Sequence, residues 1–171
     1  MVNQDLGYVH RIEDFHFLPG VLEACNQLVE LGHRIVIITN QAGIARGYYT
    51  TADLETLHNW MSEQFRKAGA ALSGIYFCPH HPEGTVHQYK LLCNCRKPAP
   101  GMILRAKHEL NINLADSILV GDKPSDIQAG RRAGINRCYL LTTKSAQPEA
   151  KLADGTATDL PELITHLTGS Q

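Results

Sequence analysis

The stretch that decides how this chain folds locally is C-P-H-H-P-E-G-T-V-H-Q-Y-K-L-L-C-N-C-R-K, residues 78–97. It contains candidate metal ligands in two pairs, each with a single residue between its members: Cys78 with His80, and Cys93 with Cys95. This spacing lets each pair hold one tetrahedral ion from a tight turn, and thiolate and imidazole are ligands that zinc prefers. A site with four protein ligands has no open coordination position, so residues 78–95 are predicted to form a loop around a structural zinc ion.

Without a metal, these cysteines could be ordinary thiols near a histidine, or they could form a disulfide bond. A ring closed between Cys93 and Cys95 would be strained and would leave Cys78 without a partner. Structural zinc is therefore the preferred interpretation, and its predicted role is to fold the loop that carries Arg96 and Lys97.

The length and charge of the chain restrict its class. With 171 residues, the chain is expected to form one domain, residues 1–171, that buries about 68–70% of the surface exposed by the unfolded chain. The formal net charge is -1, so the basic field that nucleic-acid-binding proteins need is absent. No apolar run approaches a membrane span, and the N-terminus lacks the pattern of a signal peptide. Five cysteines without a disulfide framework indicate a reducing compartment, so a cytoplasmic monomer is expected.

Helical and extended patterns alternate along the chain, which predicts an α/β fold: a Rossmann-like, three-layer parallel sheet with helices on both faces. The apolar strand at residues 34–39 is expected to be fully buried. Helices are predicted from Gly20 to Gly32, from Thr50 or Thr51 to Gly69, after Gly101 through Leu110, at 124–133 and near 160–167. The other strands are predicted at 74–78, 117–120 and 137–141.

Polar signatures follow the predicted strands, and ligands of parallel sheets bind beyond the carboxyl ends of strands. These signatures are Thr39-Asn40-Gln41-Ala42-Gly43, Arg96-Lys97, and Gly121-Asp122-Lys123-Pro124-Ser125-Asp126. Threonine and backbone amides bind phosphoryl oxygens, lysine neutralises them, and an aspartate after a glycine can hold magnesium, so together they indicate phosphoryl transfer. Singly, each has a structural alternative: a turn at Thr39, a solvated pair at Arg96, and a helix N-cap at Asp122.

Six motifs extend this pattern: G-Y-V-H at residue 7, T-N-Q-A-G-I-A-R-G at 39, C-P-H-H-P at 78, C-N-C-R-K-P at 93, P-G-M at 100 and V-G-D-K-x-x-D at 120. With them the chain, from about Asn3 onward, resembles the haloacid dehalogenase-like phosphatases. The resemblance is to the zinc-containing branch that holds D-glycero-D-manno-heptose bisphosphate phosphatase and histidinol phosphatase, and the pattern is closer to the heptose enzyme.

The resemblance implies roles for individual residues. Thr39 and Lys97 would contact the transferred phosphoryl group, Asp122 would bind magnesium, and Asp126 would support the magnesium shell or Lys123. Substrate contacts would come from Asp5, Leu6, Gly7, Tyr8, Thr39, Asn40, Gln41, Ala42, Arg96, Lys97 and Lys123. The implied reaction is magnesium-dependent hydrolysis of the 7-phosphate of a heptose 1,7-bisphosphate, a small phosphorylated sugar that supplies lipopolysaccharide biosynthesis.

One departure from the family is serious. The family begins with an apolar strand ending in Asp-x-Asp-Gly-Thr, where the first Asp is the nucleophile and the second is the general acid. Met1 stands just after the place of that motif, and Asp5 and Asp14 follow no apolar strand. Residues 154–156, Asp-Gly-Thr, match only the tail of the motif and are predicted to be a loop. The expectation is that the recorded start is too late, that the first central strand is missing, and that residues 1–171 alone are inactive.

Two alternatives stay open at this point. Within the enzyme class, the chain could be a histidinol phosphatase. Outside that class, it could be a non-catalytic, zinc-stabilised module that binds a sugar phosphate without hydrolysing it.

Overall fold

Strands and helices alternate through residues 2–142 and 151–168, which are the residues that the computed structural model describes. The helices are α1 (Val21–Glu30), α2 (Ala42–Ala45), α3 (Thr51–Lys67), α4 (Gly101–Leu110), α5 (Pro124–Ala133) and α6 (Leu160–Thr168), and a 3₁₀ turn lies at His87–Tyr89. The strands are β1 (Ile35–Asn40), β2 (Leu72–Cys78), β3 (Ile118–Gly121), β4 (Arg137–Leu141) and β5 (Gly155–Ala157). The predicted α/β class with parallel strands is confirmed. No helix within the described residues is long and apolar enough to cross a membrane.

The chain divides into two compact units, residues 2–96 and the residues from 97 onward. In the first unit, β1 and β2 form a parallel two-stranded sheet in which Thr39 is opposite Phe77 and Asn40 is opposite Cys78. Helix α3 buries one face, because its apolar side chains recur at helical spacing: Leu54, Leu57, Met61 and Phe65. That residues 1–171 form a single domain stays a prediction.

Strand β1 differs from its prediction. Its residues were expected to be fully buried, yet every residue of Ile35–Asn40 is half-buried. The apolar run I-V-I-I predicts burial of both faces. The difference arises because the described residues pair β1 with β2 alone, so the strand lies at the edge of a small sheet.

In the second unit, the parallel strands have the order β3-β4-β5. Helix α5 packs closely on this sheet at Gly130, where an added Cβ would lie 2.9 Å from Cys138 Sγ and 3.0 Å from Leu119 Cδ1. The order β3, α5, β4 is therefore one parallel crossover unit, and it places the turn at residues 121–126 at the carboxyl end of β3.

The prediction of a loop at residues 154–156 is wrong, because Gly155 and Thr156 belong to β5 and pair with β4. Asp154 fixes this strand: its Oδ2 accepts a hydrogen bond from the backbone N–H of Cys138 at 2.6 Å, and its Oδ1 lies 2.7 Å from Arg131 Nη2. These partners are distant in sequence, so no local pattern indicated the strand. The short helix α2 and the 3₁₀ turn at His87–Tyr89 were also not predicted.

Candidate functional site

The four predicted metal ligands converge in the first unit. Their ligand atoms all lie within 4.8 Å of one another: Cys78 Sγ, His80 Nδ1, Cys93 Sγ and Cys95 Sγ. The Sγ atom of Cys95 is 3.0 Å from that of Cys78 and 3.2 Å from that of Cys93, and His80 Nδ1 is 3.3 Å from Cys95 Sγ. Three sulfurs and one imidazole nitrogen at this spacing can surround a tetrahedral ion, so the cluster fits a metal.

Burial sets the chemistry of the innermost ligand. Cys78 ends β2 and is 0% exposed, and burial raises the pKa of its thiol, with a further rise from the hydrogen bond to Cys95. A buried thiolate needs a compensating cation, because desolvation penalises its charge. A metal ion bound among these ligands would supply that charge balance.

Backbone hydrogen bonds hold the middle of this loop. The carbonyl oxygen of Ala45, the last residue of α2, accepts from the N–H groups of Thr85 at 2.7 Å and Val86 at 2.9 Å. The loop has few buried apolar side chains, and Leu92 is 85% exposed. We therefore expect order at its second end, which leads to Arg96, to depend on Cys93 and Cys95.

Arg96 follows the second ligand pair directly, and its Nη1 donates a hydrogen bond to the carbonyl oxygen of His80 at 3.3 Å. The guanidinium is thus hydrogen-bonded to the backbone of one residue of the Cys/His cluster, and Arg96 is half-buried. Burial lowers the pKa of His81, and the charges of Arg96 and Arg46 lower it further. The first unit therefore carries a cationic region beside the cluster.

The signature after β1 forms a compact turn. Thr39 and Asn40 end the strand, and Ala42 begins α2. Gln41 lies between them, and its Nε2 donates to Thr39 Oγ1 at 3.1 Å. Each of these side chains is half-buried, so the turn is accessible to a ligand.

Residues 5–8 form a second, exposed turn in the same unit. The N–H of Gly7 donates to Asp5 Oδ1 at 3.2 Å, and Tyr8 has a φ of 52°, a left-handed conformation that is uncommon outside glycine. Leu6 is 58% exposed, and the ring of Tyr8 packs edge-on against Tyr48 at 4.8 Å. A strained backbone bearing exposed apolar groups is typical of a binding surface.

The second unit contains Lys97 and the acidic turn, residues 121–126. Lys97 Nζ lies 2.7 Å from Asp126 Oδ1, and both side chains are buried, 12% and 7% exposed. The other oxygen of Asp126 accepts from the N–H groups of Asp122 at 3.2 Å and Lys123 at 3.0 Å. One carboxylate therefore positions the lysine and folds the turn, and a side chain at Gly121 would overlap it.

Asp122 lies at the carboxyl end of β3, as predicted. Burial, then the charge of Asp126, raises the pKa of its carboxyl group. The helix N-cap is Lys123 rather than Asp122, so the structural alternative for this aspartate is wrong. A half-buried carboxylate that is not used for capping can ligate a cation.

Two features of these sites were missed from the sequence. The pairing of Asp126 with Lys97 crosses 29 positions, and only the V-G-D-K-x-x-D motif indicated a role for that aspartate. Tyr49 was also missed: its hydroxyl donates to Gln41 Oε1 at 2.5 Å. No spacing rule connects a tyrosine to a glutamine eight residues earlier across a short helix.

Comparison with known proteins gives close relatives. A family model described as HAD-hydrolase-like matches residues 94–166. The D-glycero-beta-D-manno-heptose-1,7-bisphosphate 7-phosphatase of Yersinia pestis is 46% identical over 168 residues, which cover 95% of this chain and 89% of that protein. The D-glycero-alpha-D-manno-heptose-1,7-bisphosphate 7-phosphatase of Burkholderia mallei is 44% identical over 169 residues, 99% of this chain and 89% of that protein.

Solved structures agree. The D,D-heptose 1,7-bisphosphate phosphatase of B. bronchiseptica, complexed with magnesium and phosphate, is similar with a TM-score of 0.83 at 30% identity, over 100% of this chain and 94% of that one. A putative HAD-like phosphatase of Mesorhizobium loti also has a TM-score of 0.83, at 29% identity, over 98% of this chain and 81% of that one. The chain therefore belongs to the heptose-1,7-bisphosphate 7-phosphatase family of haloacid dehalogenase-like hydrolases.

Proposed function

We propose that this protein is a magnesium-dependent phosphatase that removes the 7-phosphate of D-glycero-D-manno-heptose 1,7-bisphosphate. The observation that carries the proposal is 46% identity to such a 7-phosphatase over 95% of the chain. The local chemistry supports it, since a fixed lysine, a threonine at a strand end and a magnesium-type aspartate are the parts of a phosphoryl-transfer site.

In the unit of residues 2–96, Thr39 donates its hydroxyl to a phosphoryl oxygen. The sugar and its remaining polar groups contact Arg96, residues 5–8 and residues 40–42. The half-buried turn after β1 and the exposed turn at residues 5–8 support these roles, because each presents polar groups to solvent on a fixed backbone.

In the unit from residue 97 onward, Lys97 neutralises phosphoryl charge, Asp122 binds magnesium and Lys123 contacts the substrate. Magnesium supplies further charge neutralisation when it is bound. The ion pair with Asp126 supports the role of Lys97, because a buried and oriented ammonium group needs no reorganisation as charge develops in the transition state.

The metal of the Cys78 cluster is zinc, and its role is structural. Three thiols and one imidazole exclude the hard cations, which prefer oxygen ligands, and four ligands leave no position for a substrate. All five cysteines are free thiols, which supports a reducing compartment such as the cytoplasm. A cytoplasmic monomer would there supply heptose for lipopolysaccharide biosynthesis.

Phosphate release is the decisive test. Both anomers of the heptose bisphosphate and histidinol phosphate are offered with magnesium, because the relatives include alpha and beta enzymes. Two forms are compared: residues 1–171, and the same residues preceded by an apolar strand ending in Asp-x-Asp-Gly-Thr, the motif that resemblance assigns to the nucleophile. We expect release of the 7-phosphate by the second form and about a millionfold slower release by the first. A preference for histidinol phosphate would contradict the proposed substrate.

The roles of two neighbouring cations are separated by their kinetics in the active form. Lys97→Ala is expected to lower kcat by about a hundredfold or more, because its charge meets charge that develops in the transition state. Arg96→Ala is expected mainly to raise KM, because Arg96 contributes to substrate binding. An unchanged kcat in Lys97→Ala would refute the assignment.

A further inference from the structure

A chain of hydrogen bonds connects the end of β1 to a buried tyrosine. Tyr49 Oη donates to Gln41 Oε1 at 2.5 Å, and Gln41 Nε2 donates to Thr39 Oγ1 at 3.1 Å. Both ends of the Gln41 amide are therefore engaged within the protein. Rotating the amide by half a turn would reverse both bonds, so that Tyr49 would accept and the Thr39 hydroxyl proton would be donated to Gln41 Oε1.

Tyr49, the first donor in this series of hydrogen bonds, is fixed in place. It is 6% exposed and packs in one cluster with Ile44 and Leu54, while its ring stacks on His10 at 4.7 Å with an interplanar angle of 7°. A methyl group at Gly43 would overlap the Tyr49 ring, so the glycine makes room for it. A hydroxyl held this firmly determines which end of the Gln41 amide faces it.

Burial raises the pKa of Tyr49 to about 12, with a further rise from the nearby Tyr8. The phenol therefore keeps its proton at physiological pH and can act as a donor. A donor requires the carbonyl end of the Gln41 amide, which leaves the N–H₂ end for Thr39.

The backbone between these side chains is fixed as well. The N–H of Gln41 donates to the carbonyl oxygen of Cys78 at 2.8 Å, and Thr39 is paired with Phe77 in the parallel ladder. The backbone of residues 39–41 is therefore held by hydrogen bonds to β2.

A threonine hydroxyl has one proton to donate and two lone pairs. Gln41 Nε2 occupies one lone pair of Thr39, so the hydroxyl proton is left for an acceptor outside this chain of bonds. We propose that Gln41 is a positioning residue that aims the Thr39 hydroxyl proton at a phosphoryl oxygen, and that Tyr49 sets the orientation of the Gln41 amide. This inference rests on the proposed function, which supplies the phosphoryl group.

The proposed function gives Gln41 a direct contact with the sugar, as family resemblance suggests, and a positioning role can be distinguished from that contact. The two roles differ in what they affect. If Gln41 contacts the sugar, replacing it raises KM for the heptose bisphosphate and leaves the binding of inorganic phosphate unchanged. If Gln41 positions Thr39, replacing it weakens phosphate binding, and this loss disappears in a variant that lacks the Thr39 hydroxyl.

The test uses the full chain with magnesium. Its variants are Gln41→Leu, Tyr49→Phe, Thr39→Val and the double variants with Thr39→Val, and the binding of inorganic phosphate is titrated in each. Tyr89→Phe is the matched control, because Tyr89 packs against the same cluster as Tyr49. We expect Gln41→Leu to weaken phosphate binding about tenfold and Tyr49→Phe about threefold, with no further loss in the Thr39→Val background.

A spectroscopic measurement reads the amide directly. The side-chain NH₂ resonances of Gln41 are assigned by their loss in Gln41→Leu. In Tyr49→Phe they are expected to move toward the positions of solvent-exposed glutamine amides, while Tyr89→Phe leaves them in place. Unchanged resonances in Tyr49→Phe would show that the tyrosine does not orient the amide and would overturn that half of the inference.

The outcomes separate this inference from the proposed function. If the wild-type protein binds phosphate and the losses of Gln41→Leu and Thr39→Val are additive, the positioning role is wrong and the proposed function stands. If the wild-type protein does not bind phosphate, and the form preceded by the Asp-x-Asp-Gly-Thr strand does not release it from the heptose bisphosphate, the proposed function falls and the role of Thr39 falls with it.

Discussion

Two loops of this protein are held by different means. The metal loop, residues 78–96, converges on four side-chain ligands and is otherwise tied by backbone hydrogen bonds such as those to Ala45. The acidic turn, residues 121–126, is organised by Asp126, whose carboxylate bonds to two backbone N–H groups and to Lys97. The first arrangement is one that a bound ion would complete, whereas the second is made of bonds within the chain.

This difference follows from burial. Asp126 is buried, so its bonds are made in a low-dielectric interior where each one is strong and costly to lose. The metal loop has little apolar side chain to bury, and Leu92 is 85% exposed. Under the proposed function, a bound metal would replace the hydrophobic core that such a loop lacks, as in other small chelated segments.

Removing the metal should produce the largest effect. The freshly purified protein is expected to contain one zinc ion per chain. The zinc content should be lost in Cys95→Ser or after chelation. Zinc peptides bind the ion with apparent free energies of about 10–16 kcal/mol, so its loss should disorder residues 90–96. Hydrogen exchange should accelerate there and stay unchanged at residues 121–126.

Cys25→Ala is the control, because this cysteine lies on α1 and should leave the zinc content intact. Metal analysis that finds no zinc in unchelated protein would contradict the structural role of the cluster.

Disrupting the acidic turn should produce the second largest effect. Asp126→Asn removes the carboxylate charge that lies 2.7 Å from the buried ammonium group of Lys97. The free energy of unfolding should fall by about 3–5 kcal/mol, measured by denaturant titration.

Asp53→Asn is the matched control, since Asp53 caps α3 with a similar pattern of bonds to Thr50 but on the surface. Its loss should be clearly smaller. Equal losses at the two aspartates would show that burial does not distinguish them.

Low pH should lower the free energy of unfolding through protonation of His58, which lies near the start of the metal loop. Burial lowers the pKa of His58 from 6.5 to about 4, and its ring contacts Phe77, the residue before Cys78. The unfolded state therefore takes up the proton more readily. The stability that neutral His58 contributes is complete above pH 6.5 and is lost as the pH falls toward 4, by about 2 kcal/mol once its partial exposure is considered.

The measurement is the free energy of unfolding against pH in chelated protein, so that metal release does not contribute. His58→Gln should flatten the curve between these two pH values, whereas His108→Gln, an exposed substitution on α4, should not. A wild-type curve that His58→Gln leaves unaltered would exclude the histidine as the cause.

The smallest effect is expected at the cap of α3. Thr50 Oγ1 accepts from the N–H of Asp53 at 3.2 Å, and Thr50→Ala removes this bond. The expected loss is about 1 kcal/mol, measured by thermal unfolding, because water can replace an exposed cap. Thr50→Ser retains the hydroxyl and should be nearly neutral. If Thr50→Ala lowers the free energy of unfolding as much as Asp126→Asn does, the predicted ranking of the two sites is wrong.

The sequence by itself determined the features that depend on local spacing. The metal quartet was predicted because two ligand pairs, each with one intervening residue, can each grip an ion from one turn. Helix α5 and strand β4 were predicted with their observed bounds, since Pro124, Gly134 and a continuous apolar run mark them clearly. The family followed from motifs whose order is a property of the chain.

Tertiary structure decided the features that depend on partners distant in sequence. Strand β5 exists because β4 offers it a parallel edge and Asp154 is tied to Cys138, and neither fact is visible in a three-residue strand. The half-burial of β1 depends on how many neighbours pair with it, which an apolar run does not specify. The pairing of Lys97 with Asp126, and of Tyr49 with Gln41, required the chain to fold first, because a side chain's partner is set by where the backbone brings it rather than by its neighbours in sequence.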